Sequence, residues 1–587
     1  MASEGSGEIH LRGIPVSPGV TQGKLVVLSR QEISVPKRPI TEAEIGGEIA
    51  RLEKALLETR QQILKIQKHL SSSIGEKDAS IFDAHLLVVE DSSLMEAVKK
   101  QLHSRLLCAD YVFFHISQRY AQSMREVDDP YLQERAADIL DVSRRILNNL
   151  TGKVATDHYT LEDNSIILSH DLAPSDTATL DRQKVIGLAT DLGSRTSHTA
   201  IMARSLSIPA VVGLKDASYN MESGADVILD GYEGIVIINP SEQTSFEYGQ
   251  LQEKHHELEV GLGELRTTEA ITRDNHKVII SANVELPEDL ALIEKSGAEG
   301  IGLYRTEFLF MNRLDLPDED EQIETYQKVI QAAMPNSVIF RTLDIGGDKI
   351  VDNMGIPDEL NPFLGWRAIR YCLEREDIFK TQLRAICRAG ANQHIRIMFP
   401  MVSTFEELRL AKGILQSVLD ELQNEKKPHC SDFEVGVMME VPSLAMIADH
   451  IVPHVDFMSI GTNDLIQYSL AVDRTNEKVA YLYQPTHPAI LRLIKRVVDA
   501  GHIGNVWVGV CGEMAGEVLL TPLLLGLGVD ELSMGSALIP RVKRAVQRLD
   551  HNEMTTLIEE IEHLSTAAEI EQKLRLVASQ HYPELMN

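Results

Sequence analysis

The sequence predicts an α/β protein of several domains: a small α/β domain with an inserted helical bundle, followed by a closed (β/α)8 barrel of the TIM type. Three observations predict this fold class. The chain has 587 residues, which is too long for one ordinary hydrophobic core. Short apolar segments lie on both sides of a strongly helical stretch in the first 240 residues. Beyond residue 270, eight apolar segments alternate with helical ones.

The composition indicates what kind of protein this is and which partners it is expected to have. With 43% hydrophobic and 25% charged residues, the chain has the composition of a globular protein. No apolar run reaches membrane-spanning length and "MASEGSGEIH" lacks the features of a secretory signal, so we expect a cytoplasmic protein without membrane insertion. Five scattered cysteines without CxxC spacing argue against a disulfide framework or a structural zinc site. The net charge of −30 disfavours nucleic-acid and anionic-membrane partners and suits a basic protein partner.

The first 240 residues are predicted to hold two interleaved domains. Residues 39–152 are helical in pattern, since "TEAEIGGEIARLEKALLETRQQILKIQKHL" spaces its apolar residues three and four apart, and Thr41 with Glu44 forms a capping box. Strand-like segments flank this region, "GKLVVLSR" before it and five others after it, from "SIILSH" to "GIVIIN". The simplest assembly is an α/β domain built from residues 1–38 and 153–240, with the helical bundle as an insertion.

A single histidine stands out in "DLGSRTSHTAIMARSLSIPAVVG". Thr196 and Ser197 can cap a helix that begins near His198. The unpaired N–H groups at a helix start would stabilise a phosphate on or beside the imidazole, and the helix dipole would keep the ring neutral and nucleophilic. Arg195 adds a second anion-binding group. Because the chain has 20 histidines, this local pattern by itself leaves a solvated or structural role open.

A charged, helix-prone linker over residues 241–269 leads into residues 270–587, where the barrel is predicted. The eight strand candidates are, in order, "VIISANV", "GIGLYR", "VIFRTLD", "IRIMFPM", "EVGVMMEV", "VDFMSIGT", "VWVGVCG" and "DELSMGS". A doubly wound open sheet is the alternative, but eight nearly even repeats favour closure into a barrel.

Charged and polar residues follow these strands at the ends where a barrel of this kind carries its active site. They are Arg305, Arg341, Glu440, Asn463, Asp464 and Cys511, with Arg474 shortly afterwards. Two carboxylates and several arginines in one pocket imply a divalent cation and a multiply anionic substrate. A salt bridge at the barrel rim is the alternative explanation for any one Arg–acid pair, but so many such residues after successive strands favour a site.

Several segments resemble motifs of the phosphoenolpyruvate-utilising family. They are "GSRTSHTAIMARSLSIPAVVG", "GLYRTEFLFMNR", "RTLDIGGDK", "NPFLGWRAIR", "FPMVS", "DFMSIGTNDLIQYSLAVDR" and "GVCGEMAGE". In length and in the order of these motifs, the chain resembles the enzyme I branch of that family, the phosphoenolpyruvate–protein phosphotransferases of the bacterial sugar phosphotransferase system. The resemblance covers nearly the whole chain. Ser194 and Gly535 depart from the family pattern without removing a reacting group.

This resemblance implies a phosphotransferase reaction. The phosphoryl group of phosphoenolpyruvate (PEP) would pass to His198 and then to a histidine of the small carrier protein HPr, and pyruvate would be released. Thr177 would be the hydroxyl partner of His198, and Cys511 would donate a proton to the enolate carbon. Glu440 and Asp464 would be ligands of Mg²⁺. The groups that bind phosphate and carboxylate would be Arg305, Arg341, Asn463 and Arg474.

The resemblance also implies how the domains work together. The phosphohistidine domain would swivel between barrel and carrier about the linker, and the barrel would form a homodimer. The inserted bundle has no other evident role, and the acidity of the chain suggests that it binds a basic face of HPr, with Glu76, Asp83 and Glu90 as candidate contacts.

Two alternatives stay open at this stage. A pyruvate-phosphate dikinase or PEP synthase would share the histidine domain and the barrel, but it needs a nucleotide-binding domain before them. Here only about 40 residues and the bundle precede the histidine domain, without a glycine-rich phosphate loop. A non-enzymatic sensor of PEP that signals through a partner is the second alternative, and pyruvate release would distinguish it from the enzyme.

Overall fold

Two units, Met1–His256 and Glu257–Asn587, make up the chain, and each has its own hydrophobic core. The structure is a computed structural model, and it describes residues 7–28, 35–74, 81–125, 130–152, 163–172, 184–194, 197–206, 208–311, 313, 315–346, 359–474, 476 and 478–586. Among these residues, no helix is both long enough and apolar enough to cross a membrane.

A mixed eight-stranded sheet forms the centre of the first unit. Its strands are β1 (Ile9–Arg12), β2 (Ile14–Ser17), β3 (Val20–Leu28), β4 (Ser165–Ser169), β5 (Val185–Thr190), β6 (Ala210–Val212), β7 (Asp226–Asp230) and β8 (Ile235–Ile238). Their order is β1-β8-β7-β3-β4-β5-β6-β2. Strands β3 to β6 run parallel, and the others join antiparallel.

Both faces of this sheet are covered, which explains why its central strands read as continuous apolar runs. Ile166 and Leu168 of β4 belong to the core on one face, while Ile167 between them belongs to the core on the other. Strands β1 and β2 were not predicted from the sequence. Both lie at the edges of the sheet; β1 contains the polar His10 and Arg12, and β2 contains Pro15, which is tolerated at an edge.

The inserted region is helical, as predicted. Its helices are α1 (Ile45–Ile74), α2 (Ile81–Val89), α3 (Ser92–Arg105), α4 (Ala109–Arg125) and α5 (Pro130–Thr151). The capping box is present: the Glu44 carboxylate accepts hydrogen bonds from the backbone N–H of Thr41 at 2.7 Å and from its hydroxyl at 2.8 Å. The periodic apolar residues of these helices, among them Leu52, Ile63 and Phe113, form a core of their own.

The second unit contains a closed barrel of parallel strands. They are β9 (Ile279–Val284), β10 (Ile301–Arg305), β11 (Val338–Arg341), β12 (Ile395–Phe399), β13 (Phe433–Met438), β14 (Phe457–Ile460), β15 (Trp507–Val510) and β16 (Glu531–Met534). Each pairs with the next, and β16 pairs with β9 to close the ring. All eight lie at the predicted strand segments, so the closed barrel is confirmed and the open sheet is excluded. Leu303, Ile339, Met398, Met438 and Phe457 pack in one cluster, so the barrel is filled rather than hollow.

Further helices connect the strands of both units and surround the barrel. They are α6 (His198–Leu206), α7 (Ala217–Asn220), α8 (Glu242–Gly263), α9 (Leu290–Ser296), α10 (Glu319–Ala333), α11 (Ile369–Glu374), α12 (Glu376–Ala389), α13 (Phe405–Asn424), α14 (Pro442–Met446), α15 (Ala448–Ile451), α16 (Thr462–Leu470), α17 (Pro488–Ile503), α18 (Thr521–Gly526), α19 (Ile539–Arg548), α20 (His551–Ile561) and α21 (Ala567–His581).

Helix α8 occupies most of the predicted linker, and the division between the two units falls within it. Its start is tied to the first unit, where the Glu8 carboxylate accepts from the Thr244 hydroxyl at 2.8 Å. Its end is tied to the second unit by an ion pair between Glu259 and Arg541 at 2.9 Å. Any bending within α8 is therefore expected between these two attachments.

Candidate active site

The C-terminal ends of the parallel barrel strands meet at one mouth of the barrel. Arg305 and Arg341 are the last residues of β10 and β11. Glu440 follows β13 by two residues, and Cys511 follows β15 directly. Asn463 and Asp464 lie in the first turn of α16, just after β14. The strand topology thus brings the residues that the sequence analysis selected to the same end of the barrel.

Arg341 is buried between carboxylates. Its Nη2 donates to Glu307 Oε1 at 2.6 Å, and its Nη1 lies 3.1 Å from Asp344 Oδ2. Although burial opposes the charge, Glu307 and then Asp344 raise the pKa of Arg341, so the guanidinium stays charged. Its Nε has no hydrogen-bond partner among the described residues. A buried donor of this kind is available to an anionic ligand.

Arg367 belongs to the same cluster, and the sequence analysis missed it. Its Nη2 donates to Asp344 Oδ1 at 2.9 Å and lies 3.5 Å from Asp464 Oδ2, while Nη1 donates to Tyr468 Oη at 3.1 Å. Its Nε also lacks a partner within the described chain. Arg367 does not follow a strand, so the strand-end rule could not find it. The signal was its place in the family-like segment "NPFLGWRAIR".

Two carboxylates at the mouth have strongly disturbed acidity. Burial, followed by repulsion from Asp464 and Asp344, raises the pKa of Glu440 to about 8. Burial likewise raises the pKa of Asp464, against the opposing charge of Arg367. Glu440 Oε1 accepts from the backbone N–H of Met401 at 2.6 Å. At Gly461 a Cβ would lie 2.9 Å from Glu440 Oε2, so glycine leaves room for this carboxylate.

These two carboxylates fit a divalent cation. Buried carboxylates whose negative charges repel each other are stabilised by a nearby positive ion. Mg²⁺ is commonly held by one or two protein carboxylates together with oxygens of the substrate. No cluster of three or more histidine, cysteine, aspartate or glutamate side chains in the described part of the chain forms a complete metal site. The pair Glu440 and Asp464 would thus need further oxygens from a ligand.

The outer residues of the mouth are paired with carboxylates. Asn463 Nδ2 and Arg474 Nη1 both donate to Glu513 Oε1, at 2.9 and 2.8 Å. Arg305 forms an ion pair with Glu285, and its Nε has no partner among the residues described. An anionic substrate could replace Glu285 and Glu513 as the partner of these donors. Exchange of one anion for another keeps each guanidinium paired.

Cys511 lies at the inner side of the mouth, in contact with the core inside the barrel, and only 2% of its surface is exposed. Burial raises the pKa of its thiol to about 11, while a hydrogen bond from Ser459 and the charges of Arg341 and Arg305 act in the opposite direction. At neutral pH the thiol therefore carries its proton. Such a group can act as a proton donor to a bound substrate.

The histidine motif lies in the first unit. Helix α6 begins at His198, as predicted, and the Ser197 hydroxyl accepts a long hydrogen bond from the backbone N–H of Ala200 at 3.4 Å. The backbone of His198 therefore occupies the helix N-terminus. Its side chain, Thr177 and Arg195 lie outside the described parts of the structure, so the roles expected for them stay predictions. Met202 of the same helix packs into the core of the inserted bundle.

A polar network next to this motif was not found from the sequence. Asp191 follows β5 and opens the segment that leads to His198. Its buried carboxylate accepts from the backbone N–H of Ser218 at 3.0 Å and from the Ser218 hydroxyl at 2.5 Å, and it lies 3.2 Å from His170 Nδ1. Asp191 thus fixes the start of the motif to the ends of two neighbouring elements.

The predicted carrier contacts are described only in part. Glu90 forms an ion pair with Arg60 at 2.7 Å, and half of its side chain is exposed. Glu76 and the side chain of Asp83 lie outside the described residues. The bundle also exposes three leucines, at 58% for Leu57, 37% for Leu64 and 68% for Leu87.

Comparison with known proteins gives matches over most of the chain. Family models described as PEP-utilising enzyme match it in three places: the N-terminal model over residues 12–135, the mobile-domain model over 161–234 and the PEP-binding-domain model over 259–551. The chain is 43% identical over 561 residues to the phosphoenolpyruvate-protein phosphotransferases of Staphylococcus carnosus (strain TM300) and Bacillus subtilis (strain 168), with 96% of this chain and 98% of each relative covered. A solution NMR structure of an Enzyme I protein is 41% identical, covering 42% of this chain and 99% of that chain, with a TM-score of 0.36.

Proposed function

The chain belongs to the PEP-utilising enzyme family, and from this premise we propose that it moves the phosphoryl group of PEP first to His198 and then to a histidine of the carrier protein HPr. Pyruvate is the second product, and the reaction is the first step of the sugar phosphotransferase system. In this scheme residues 1–38 and 153–240 carry the phosphohistidine, residues 39–152 bind the carrier, residues 241–269 link the two units, and residues 270–587 bind PEP and dimerise.

The observation that carries the proposal is the charge arrangement at the barrel mouth. Arg305, Arg341 and Arg367 each have an Nε without a partner among the described residues. The charges of Arg341 and Arg367 act on both Glu440 and Asp464. PEP carries a phosphate and a carboxylate. Their oxygens could accept hydrogen bonds from the arginine Nε groups and could complete a metal site at Glu440 and Asp464. Glu440 and Asp464 would hold Mg²⁺, which when bound neutralises negative charge on the phosphate and on the enolate oxygen.

The protein's own groups complete the reaction. Attack by the neutral imidazole of His198 forms a P–N bond and breaks the P–O bond to the enol oxygen, which leaves pyruvate enolate. The arginines keep this enolate bound. Cys511 gives its proton to the methylene carbon, and the thiolate regains a proton from solvent. Thr177 and Arg195 would orient and neutralise the group on His198.

The inserted bundle is the proposed carrier-binding surface. Glu90 supplies an exposed acidic group, and Leu57 and Leu87 supply exposed apolar area. HPr bound in this way would lose only part of its affinity as salt is raised. Screening weakens exposed charge pairs beyond about 10 Å at 0.1 M ionic strength but leaves apolar contacts intact.

The full chain, mixed with labelled PEP, Mg²⁺ and HPr, tests the function. We expect pyruvate release and acid-labile label on HPr, both abolished in His198→Gln. The matched control is His563→Gln, because His563 is an exposed histidine outside both proposed sites. Pyruvate without labelled HPr, or label that survives in His198→Gln, contradicts the scheme. Label on neither protein would favour the sensor alternative, and a requirement for a nucleotide would favour the dikinase alternative.

A further inference from the structure

The position of Cys511 depends mainly on its backbone, because its thiol makes only weak polar contacts, which include the one with Ser459. Its Sγ lies 3.8 Å from the carbonyl oxygen of Ile460, at the limit of a weak hydrogen bond. The backbone N–H of Cys511 donates to the same carbonyl at 3.1 Å. On the other side, the carbonyl oxygen of Cys511 accepts from Asn283 Nδ2 at 3.0 Å. Asn283 therefore provides the second hydrogen bond that holds the backbone of this residue in place.

Asn283 reaches Cys511 from two strands away. Asn283 lies on β9 and Cys511 follows β15, with β16 between them in the closed barrel. Ser533 lies on that intervening strand, and its hydroxyl donates to Asn283 Oδ1 at 2.6 Å. With Oδ1 occupied by the hydroxyl, the amide nitrogen faces the carbonyl of Cys511. The three residues thus form one chain of hydrogen bonds across the point where the barrel closes.

The neighbouring strand leaves room for this chain. Gly302 on β10 lies so close to Ser533 that a Cβ at this position would be 2.4 Å from Ser533 Oγ. Any larger residue at 302 would displace the hydroxyl that orients Asn283. The sequence "GIGLYR" therefore places its second glycine where the hydrogen-bond chain needs space.

We propose that Asn283 is a positioning residue that acts through Cys511, and that Ser533 orients the Asn283 amide for this task. The proposal rests on the proposed function, in which Cys511 protonates the enolate carbon. A proton donor works only within hydrogen-bond reach of the atom it protonates, and a misplacement of about 1 Å can cost about 100-fold in rate. Removing the Asn283 amide frees the Cys511 carbonyl and lets the thiol move away from the substrate carbon.

A double-mutant cycle tests this dependence in the full chain. Asn283→Ala should lower the turnover number for pyruvate formation about 10- to 100-fold with little change in KM for PEP. In the Cys511→Ala background, the same substitution should cause no further loss, since its effect passes through the thiol. Ser533→Ala should cause a smaller loss. Additive losses in the double variant would overturn the proposal, because they indicate a role independent of Cys511.

Asn283→Asp serves as a variant of nearly unchanged shape. It keeps an acceptor for Ser533 but presents an oxygen to the Cys511 carbonyl, so it should lose as much turnover as Asn283→Ala. A matched thermal melt shows whether the barrel is still folded. Parent turnover in Asn283→Asp contradicts the proposal.

A second measurement does not depend on catalysis. Alkylation of Cys511 by iodoacetamide, followed by mass spectrometry without PEP, should be faster in Asn283→Ala than in the parent, while Cys108 in the bundle reacts at an unchanged rate. Equal rates at Cys511 would overturn the proposal. If the parent chain forms no pyruvate, the proposed function fails, but this labelling result still decides whether Asn283 holds Cys511.

Discussion

The acidity of Cys511 follows from its burial, and it decides which part the residue can play in the reaction. Its pKa of about 11 keeps the thiol protonated through the neutral range. A thiolate nucleophile would need the opposite environment, with a lowered pKa and greater exposure. Cys511 is therefore suited to giving up a proton to a strongly basic carbon, which an enolate provides.

Cys511→Ala is expected to separate the two chemical steps. Loss of a positioned acid should slow pyruvate formation by about 100- to 10,000-fold, measured by a coupled pyruvate assay. Phosphorylation of His198 by phospho-HPr should continue at the parent rate, because no carbon is protonated in that direction. Cys372→Ala, which removes another buried thiol, is the matched control. If Cys511→Ala forms pyruvate at the parent rate, the proton must come from bound water.

At the residue scale, sequence patterns located the mouth residues that follow strands but not those that reach the mouth by another path. Arg305, Arg341 and Cys511 were found because a strand end fixes their position. Arg367 enters from a segment without a strand, next to Ala368, which has a positive φ of 50°. Its pairing with Asp344 depends on how that segment folds back, and such long-range contacts leave no periodic signal in the sequence.

At the scale of elements, the barrel strands were predictable because each is a short apolar run between helices, with buried residues on both faces. The start of α6 was predictable because a serine stands immediately before His198. Strands β1 and β2 were missed because they lie at the edges of the sheet and contain His10, Arg12 and Pro15, so neither forms the continuous apolar run that revealed other four-residue strands. The contacts of Asp191 with His170 and Ser218 were missed because they join residues 21 and 27 positions away on other elements, and such contacts leave no periodic pattern in the sequence.

The contact between two histidines in the barrel unit should make the stability of this unit depend on pH. The imidazoles of His276 and His551 are stacked at 3.8 Å with an interplanar angle of 7°. His551 is the first residue of α20, and His276 belongs to the segment that precedes β9. Burial, followed by the charge of His551, lowers the pKa of His276, while Asp274 and Asp530 act in the opposite direction. The stacked arrangement of the two rings is therefore most stable when His276 is neutral.

This arrangement predicts a loss of stability in mild acid. Because the pKa of His276 is lower in the folded chain than its usual 6.5, the folded state binds fewer protons than the unfolded state. The stabilisation is complete above about pH 6.5 and decreases as the pH falls towards the folded pKa. Urea unfolding of the full chain at about pH 7.5 and about pH 5.5 measures it. His276→Gln should reduce the difference between the two conditions, and an undiminished difference would assign it to other groups.

At the scale of the whole molecule, the proposed donor site and His198 belong to different units. Each unit has its own core, and the first core residues after the division, Leu262 and Leu265, belong to the barrel unit. In the proposed function the phosphoryl group must therefore pass between units, which requires them to approach and separate during each cycle. In the proposed function we expect this motion in the part of α8 between its attachments to Glu8 and to Arg541.

Two fragments made by dividing the chain after His256 are each expected to keep one part of the reaction, PEP binding or phosphate exchange with HPr. A compact unit with its own core can fold alone, so residues 257–587 should unfold cooperatively and bind PEP with Mg²⁺ in calorimetry. Residues 1–256 should accept labelled phosphate from phospho-HPr but not from PEP, because they lack the arginines and carboxylates of the mouth. Mixing the two fragments should restore only slow transfer from PEP, since the tether that raises the effective concentration of His198 is lost. Direct labelling of residues 1–256 by PEP would show that the barrel is not the donor site.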